Sequence, residues 1–189
     1  MIPLAQPLPL SARDLAMRRA LAVLLGTALV AAAAQVAVPL PGTPVPMTLQ
    51  PLAVLIVGGL LGPRLGAASL FLYIAVGVAG LPVFTPLGPP GLARLLGPTG
   101  GYLLAYPIAA GAVGKIAGDG SSLARIALAA LAGLLLIHLG GLAQLVILTG
   151  SAGTAARLGT VPFLLGDLVK LGLTVLMLRS SIRPVRARL

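Results

Sequence analysis

Residues 50–80 read "QPLAVLIVGGLLGPRLGAASLFLYIAVGVAG" and hold two apolar runs with only Gly62-Pro63 between them. The pattern predicts one helix over about 50–62 and another over about 64–80. Proline interrupts a helix and glycine permits a sharp turn, so the two helices should form a tight hairpin. Both runs are apolar enough to indicate helices that cross a membrane.

The composition of the whole chain points the same way. Of its 189 residues, 58% are hydrophobic and only 8% are charged, whereas a soluble domain carries about a quarter charged residues. So few charges cannot cover a surface that faces water, which indicates an integral membrane protein. The chain has no cysteine, which excludes disulfides, thiolate metal sites and cysteine nucleophiles. No cofactor is expected.

Together with residues 50–80, the other apolar runs predict an all-α bundle of six transmembrane helices in a single domain, 1–189. The predicted helices cover about residues 17–38, 50–62, 64–80, 99–118, 121–148 and 161–180. Four prolines between Pro39 and Pro46 end the first helix. Basic residues precede a first run long enough to span, which predicts a retained helix and not a cleaved signal peptide.

The basic residues orient this bundle. With six helices, both termini lie on one side, and 10 of the 13 Lys and Arg residues fall there. These ten are Arg13, Arg18, Arg19, Arg64, Lys115, Arg125, Arg179, Arg183, Arg186 and Arg188. Cytoplasmic loops are enriched in basic residues, so both termini are predicted to be cytoplasmic. The same rule accounts for the net charge of +10, so no nucleic-acid partner is needed to explain it. The scarcity of aromatic residues also disfavours such a partner.

Three long connections, 39–49, 81–98 and 149–160, fall on the opposite, outer side. They are rich in Pro, Gly and Thr, whereas the inner connections are short. Long ordered loops on one face of a protein often form binding elements or lids. The segment 149–160 is expected to be a loop.

An acidic and a basic residue stand inside the last apolar run. Asp167 is one of only three acidic residues, and Lys170 follows at i+3, so the two share a helix face. A charge at membrane depth costs roughly 2.5–3.5 kcal/mol, so both are expected to face the bundle interior or a wet cavity. They either form an ion pair that only joins helices or grip a ligand that enters from outside.

Other polar residues on the outer side are candidates for ligand contact. Arg94, in the second outer loop, is either a solvated loop charge or a ligand-binding group. Thr99-Gly100-Gly101-Tyr102 opens the fourth helix, where free N–H groups can receive an anion or a carbonyl. Thr48 and Gln50 begin the second helix and either cap it or bind a ligand.

Three further polar residues lie within predicted helices. His138 is the only histidine and has no acidic neighbour in the sequence, so it is interpreted as a packed, hydrogen-bonded residue and not a proton relay. Gln35 and Gln144 are interior polar groups without an assigned role. The first helix also carries Ala16, Ala20, Ala28 and Ala32, whose four-residue spacings allow close helix contact, either inside the bundle or with another membrane protein.

Four segments together resemble the BioY family, the substrate-binding S components of energy-coupling factor (ECF) biotin transporters. They read "PLPGTPVPMTLQPLAVLIVGGLLGPRLG", "VGVAGLPVF", "LLGPTGGYLLAYPIAA" and "PFLLGDLVK". The resemblance covers about residues 15–180 in the same order and spacing. Its most specific parts are "GPTGGYL" and the Gly-Asp-x-x-Lys pattern at 166–170.

The resemblance implies a six-helix S component fold with a vitamin site on the outer side. It implies binding positions at Arg94, Tyr102, Asp167 and Lys170, with Thr99, Gly100 and Gly101 beside them, and further contacts from Thr48, Gln50 and Phe84. It also implies that an alanine motif on the first helix, drawn from Ala16, Ala20, Ala28 and Ala32, docks onto a transmembrane coupling subunit driven by two cytoplasmic ATPases. The implied location is a bacterial or archaeal cell membrane.

The candidate residues suit the chemistry of biotin. Its ureido ring has two N–H donors and one carbonyl acceptor, and its tail ends in a carboxylate. An aspartate accepts N–H groups, a lysine donates to either oxygen, and an arginine fork matches a carboxylate. The alternatives are an S component or small facilitator for another amphipathic solute and, less favoured, an intramembrane enzyme. The chain has no G-x-x-x-x-G-K-[ST] motif, so ATP hydrolysis is expected only in partner subunits.

Overall fold

The computed structural model describes residues 11–189 as a bundle of helices. The long helices are α1 (Ala12–Gln35), α2 (Gln50–Val78), α4 (Gly100–Ala117), α5 (Leu123–Thr149) and α7 (Leu164–Arg186). Two short helices, α3 (Leu92–Leu96) and α6 (Ala152–Gly159), lie in the connections, and a 3-10 turn at Val161–Phe163 precedes α7. Strands β1 (Ala37–Val38) and β2 (Met47–Thr48) pair antiparallel at the two ends of the proline-rich loop.

Helix α2 is the predicted hairpin. Gly62 interrupts it with φ 81° and ψ 179°, a conformation that essentially only glycine adopts, and Pro63 follows at once. The Gln50 Nε2 donates a hydrogen bond of 2.7 Å to the Tyr73 hydroxyl, although 23 residues of continuous helix would extend about 34 Å. The arms 50–61 and 63–78 are therefore antiparallel, so α2 supplies two of the six long helices.

Helix α4 lies at the centre, packed against both arms of α2 and against α5. Small residues make this packing close. A Cβ on Gly58 would lie 2.8 Å from the Ala110 Cα, and one on Gly114 would lie 2.5 Å from the Gly62 carbonyl carbon. Small residues let the helix backbones approach each other in this way.

Four helical stretches of the described residues are long and apolar enough to cross a membrane: Ala12–Gln35, Gln50–Val78, Leu123–Thr149 and Ala152–Arg186. The surface of the bundle is correspondingly apolar. Leu139, Ile147, Leu165 and Leu168 each expose 60% or more of their area. Such residues suit contact with lipid, and the molecule is a membrane protein.

Several boundaries differ from those predicted. Helix α1 begins at Ala12 and ends at Gln35, and α7 begins at Leu164 and continues to Arg186. The segment predicted as a loop over 149–160 instead contains helix α6, because the Ser151 hydroxyl caps the helix by accepting a hydrogen bond from the Thr154 N–H.

The bundle has two different ends. At the loop end, the Thr43 hydroxyl joins the first connection to α6 by donating a 2.6 Å hydrogen bond to the Leu158 carbonyl. At the basic end, the Arg19 Nε donates to the Leu189 carbonyl at 2.8 Å. The loop end carries the connections 39–49, 81–98 and 149–160, and the basic end carries both described termini and the turn of α2.

Candidate ligand-binding site

A cavity opens at the loop end between α2, α4, α5 and α7. About 610 Å³ of space in and around its mouth, open solvent included, is free of protein atoms. Its apolar lining includes Val45, Phe84, Leu134, Ile137 and Phe163. Its polar lining consists of Thr48, Gln50, Thr85, Arg94, Thr99, Tyr102, Tyr106, His138, Asp167 and Lys170.

Asp167 and Lys170 both face this cavity from the first turns of α7. The Lys170 Nζ donates a 2.9 Å hydrogen bond to the Asp167 Oδ1. Only 7% of Asp167 and 6% of Lys170 is exposed. The 3-10 turn with Pro162 places Asp167 at the start of α7, where the helix dipole favours a negative charge.

The other oxygen of Asp167 has a partner on a different helix. The His138 Nε2 lies 2.6 Å from the Asp167 Oδ2. His138 is thus the packed, hydrogen-bonded residue that the sequence predicts, and it also lines the cavity, which the sequence reasoning missed. The composition could have suggested this contact. His138 is the only histidine and Asp167 the only carboxylate inside an apolar run, so each has few other ionisable partners for a hydrogen bond.

The polar groups of α7 retain unused bonding capacity. An ammonium group has three N–H donors, and Lys170 uses one of them within the described residues. A carboxylate has about four acceptor positions, and Asp167 uses two. An acceptor and a donor about 3 Å apart therefore remain for a third molecule.

Arg94, on α3, also lines the cavity and is not a solvated loop charge. It is only 4% exposed. Its Nη1 donates to the Thr85 Oγ1 at 3.1 Å and to the Leu87 carbonyl, and its Nη2 donates to the Thr85 carbonyl at 2.7 Å. Burial lowers the pKa of the guanidinium, which still stays protonated. The buried Nε has no hydrogen-bond partner among the described residues.

Gln50 and Phe84 line the cavity, and Tyr73 connects them. The Gln50 amide donates to the Tyr73 hydroxyl, which in turn donates to the Val83 carbonyl at 3.2 Å. The rings of Tyr73 and Phe84 meet edge to face, with centroids 5.5 Å apart. The Thr48 hydroxyl donates to the Gln50 Oε1 at 3.3 Å. Helix α2 and the second loop are thereby joined at the cavity wall.

Of the residues at the start of α4, some line the cavity and others pack in the core. Thr99 and Tyr102 line the cavity, and the Tyr102 hydroxyl donates to the Gly159 carbonyl at 2.5 Å. Gly100 and Gly101 lie outside this lining. A Cβ on Gly100 would overlap the Leu95 carbonyl oxygen, and one on Gly101 would overlap the Gly140 carbonyl oxygen. Close packing explains both glycines, and their contact with a ligand stays a prediction.

The two glutamines of unassigned role hold the second loop. The Gln35 Nε2 donates to the Phe84 carbonyl at 3.2 Å. The Gln144 Nε2 donates to the Leu95 and Gly97 carbonyls at 2.8 and 2.6 Å. They stabilise the wall that carries Arg94 and do not line the cavity.

Helix α1 has a buried face and an exposed face, and alanines lie on both. Helix α1 packs through Ala22, Gly26, Thr27, Val30 and Ala34. The exposed positions include the four predicted docking residues Ala16, Ala20, Ala28 and Ala32. These four alanines do not pack the interior, although docking with a partner stays a prediction.

Comparison with known proteins identifies the family. A model of the BioY family matches residues 6–187. The chain belongs to the BioY family. This confirms the resemblance seen in the four sequence segments.

Relatives of this BioY chain are named as transporters. It is 41% identical over 155 residues to a probable biotin transporter BioY of Pyrococcus horikoshii, covering 82% of this chain and 90% of that protein. It is 35% identical over 151 residues to a biotin transporter BioY of Thermotoga maritima, covering 80% and 88%.

A solved structure matches the fold of this BioY chain. It is the S-component for biotin from an ECF-type ABC transporter, with a TM-score of 0.81 and 26% identity, covering 90% of this chain and 93% of that one. The predicted fold class, an all-α membrane bundle of the S component type, is confirmed.

Proposed function

We propose that this protein binds biotin in the loop-end cavity and acts in biotin uptake as the S component of an ECF-type transporter. One observation carries the proposal: an otherwise largely apolar cavity places an Asp167–Lys170 pair on one wall and the Arg94 guanidinium on another. The names of the relatives support the same substrate. They are transporters, so the alternative of an intramembrane enzyme has no support.

The proposed orientation follows from the unused donors and acceptors. The ureido edge offers an N–H and a C=O side by side, which complements the acceptor of Asp167 and the donors of Lys170. The biotin carboxylate then extends toward Arg94, which lines the cavity and whose Nη2 uses only one of its two N–H groups among the described residues. Phe84 and Phe163 contact the thioether ring and the aliphatic chain. Tyr102, Thr99, Thr48 and Gln50 complete the proposed set.

Titration of the purified protein tests the substrate. Isothermal titration in detergent micelles should show saturable binding of biotin and weaker binding of biotin methyl ester. Mass spectrometry of small molecules that co-purify with the protein provides an independent reading. If biotin gives no heat and a thermal-shift screen finds another amphipathic solute, the alternative of an S component or facilitator for that solute replaces this proposal.

The proposed topology places both termini in the cytoplasm and the loop end outside the cell membrane, with the whole chain as one transmembrane domain. The separation of basic residues supports this orientation. Single cysteines at the exposed positions Pro41, Pro90 and Gly153 should react with an impermeant thiol reagent added to intact cells. Cysteines at the exposed positions Ser121 and Arg188 should react only after the cells are opened. The reverse pattern would exclude an outward-facing cavity.

The proposed partners are a transmembrane coupling subunit and two cytoplasmic ATPases. The exposure of Ala16, Ala20, Ala28 and Ala32 on α1 supports a docking face there, since small residues permit close helix contact. Tryptophan at Ala28 or Ala32 should abolish co-purification with a coupling subunit while leaving biotin titration unchanged. Normal co-purification would indicate that the docking face lies on another helix.

A further inference from the structure

The contact between His138 and Asp167 is unusual within this bundle. Among the residues the structure describes, it is the only hydrogen bond between side chains of α5 and α7. The two residues stand 29 positions apart, and the 2.6 Å separation of their atoms indicates a charge-assisted bond. The His138 ring lies near two cavity-lining rings, with centroids 6.2 Å from Tyr102 and 6.4 Å from Phe163.

The two partners of Asp167 constrain it differently. Lys170 lies on the same helix as Asp167, and its long side chain can follow the carboxylate through several rotamers. His138 is a short, rigid side chain on another helix, so its bond fixes where the second oxygen lies. With one donor on each oxygen, both the position and the plane of the carboxylate are set.

We propose that His138 is a positioning residue for ligand recognition. Its Nε2–H holds the Asp167 carboxylate so that the remaining lone pairs accept the N–H groups of a cyclic urea. This inference rests on the proposed function, because it takes the ureido ring of biotin as the group that Asp167 meets. It assigns His138 no direct contact with the ligand.

The surroundings of the second ring nitrogen indicate which nitrogen of His138 carries the proton. The His138 Nδ1 is buried and has no hydrogen-bond partner among the described residues. A buried N–H without an acceptor is rarer than an unpaired acceptor. The unpartnered Nδ1 is therefore assigned as the bare ring nitrogen, which leaves an N–H on Nε2 for the bond to Asp167.

Matched variants of His138 test this role by isothermal titration of the full chain in micelles. His138→Gln keeps an N–H donor at nearly the reach of Nε2, whereas His138→Asn is polar but too short. We expect biotin to bind roughly ten- to hundredfold more weakly to His138→Asn and His138→Leu, the range for one charge-assisted hydrogen bond. His138→Gln should recover most of that loss.

Thr174→Val provides the control for removing a buried polar group near this cluster. The Thr174 hydroxyl donates only to the Lys170 carbonyl one turn away, at 2.7 Å, and it does not line the cavity. This variant should bind biotin as the wild type does. A similar loss in Thr174→Val would show that the affinity follows general packing and would overturn the inference.

A double variant shows whether His138 acts through Asp167. In the background Asp167→Asn, adding His138→Asn should cost little further affinity, because the group being positioned has already changed. Equal losses in both backgrounds, or equal affinities of His138→Gln and His138→Asn, would overturn the inference. Failure of the wild type to bind biotin would instead overturn the proposed function, so the two failures are distinguishable.

Discussion

The two ends of α7 use charged side chains in opposite ways. At the loop end, Asp167 and Lys170 bond to each other and to His138, and they keep unused donors and acceptors toward a cavity. At the basic end, Arg186 uses nearly all its donors on backbone carbonyls. Its Nε and Nη2 donate to Gly59 at 3.1 and 2.7 Å, its Nη2 also donates to Gly114 at 3.0 Å, and its Nη1 donates to Gly118.

Arg186 thereby joins the ends of two helices. Gly59 lies near the end of the first arm of α2, and Gly114 and Gly118 lie at the end of α4. The last carbonyls of a helix lack partners within the helix and carry partial negative charge, so a cation there is favourable. Both ends of α7 therefore bury charge, but only the loop end keeps unused hydrogen-bonding capacity beside a cavity, and this capacity marks the ligand site.

Removing both charges at the loop end should have the largest effect. Asp167→Leu with Lys170→Leu leaves no unpaired buried charge, so the bundle should fold. Two charge-assisted hydrogen bonds to the ligand, worth roughly 1.5–3 kcal/mol each, are lost, and biotin affinity should fall by about a hundredfold or more. Isothermal titration measures this loss. A double variant with wild-type affinity would show that the pair only joins helices.

The single variant Asp167→Leu is the matched control for stability. It leaves the Lys170 ammonium buried without its carboxylate, which costs roughly 3–5 kcal/mol. Its thermal unfolding temperature should therefore lie below that of the double variant. If both unfold at the same temperature, the ion pair contributes nothing to the fold.

Removing Arg186 should reverse the pattern by lowering stability and sparing affinity. Arg186→Leu leaves three partly buried carbonyls without a donor, which should lower the free energy of unfolding by about 2–4 kcal/mol. Biotin should bind with unchanged affinity, because the cavity lies at the other end. Arg186→Lys keeps the charge but not the fork and should recover only part of the stability. If Arg186→Leu bound biotin more weakly but unfolded as the wild type does, the proposed difference between the two ends of α7 would be wrong.

Arg94 should show an intermediate effect, since it bonds to its own loop and also faces the cavity. Arg94→Ala should weaken biotin binding by about tenfold or more beyond any loss for biotin methyl ester, because one charge-assisted bond to the carboxylate disappears. Thr85→Val loosens the same loop by removing one contact of the Nη1, and it should affect both ligands equally. Equal losses for both ligands in Arg94→Ala would make Arg94 purely structural.

Tyr73→Phe should have the smallest effect. It removes the hydroxyl between the Gln50 amide and the Val83 carbonyl and keeps the ring that packs on Phe84. The loss of about 1 kcal/mol should weaken biotin binding roughly fivefold. Titration of this variant beside Gln50→Leu is the check. Lower thermal stability without lower affinity in both variants would remove Gln50 from the site.

Much of the fold could be predicted because its signals are local. Apolar runs bounded by proline and glycine predicted the long helices, and Gly62-Pro63 predicted the hairpin of α2. The short helix α6 was missed because the small and polar residues of this segment are typical of a loop. They obscured the capping signal of Ser151. The helix ends were displaced because capping and packing set them, and hydropathy does not.

Residue types and short spacings along the chain were enough to predict a membrane protein, the hairpin, the family and the candidates Asp167, Lys170 and Arg94. Three features could be seen only in the folded bundle: the contact of His138 with Asp167, the hydrogen bonds from Arg94 to Thr85 and Leu87, and the close packing at Gly100 and Gly101. The reason is physical: residues on different helices meet only after helix rotation and depth are set by close packing, and spacing along the chain contains neither quantity.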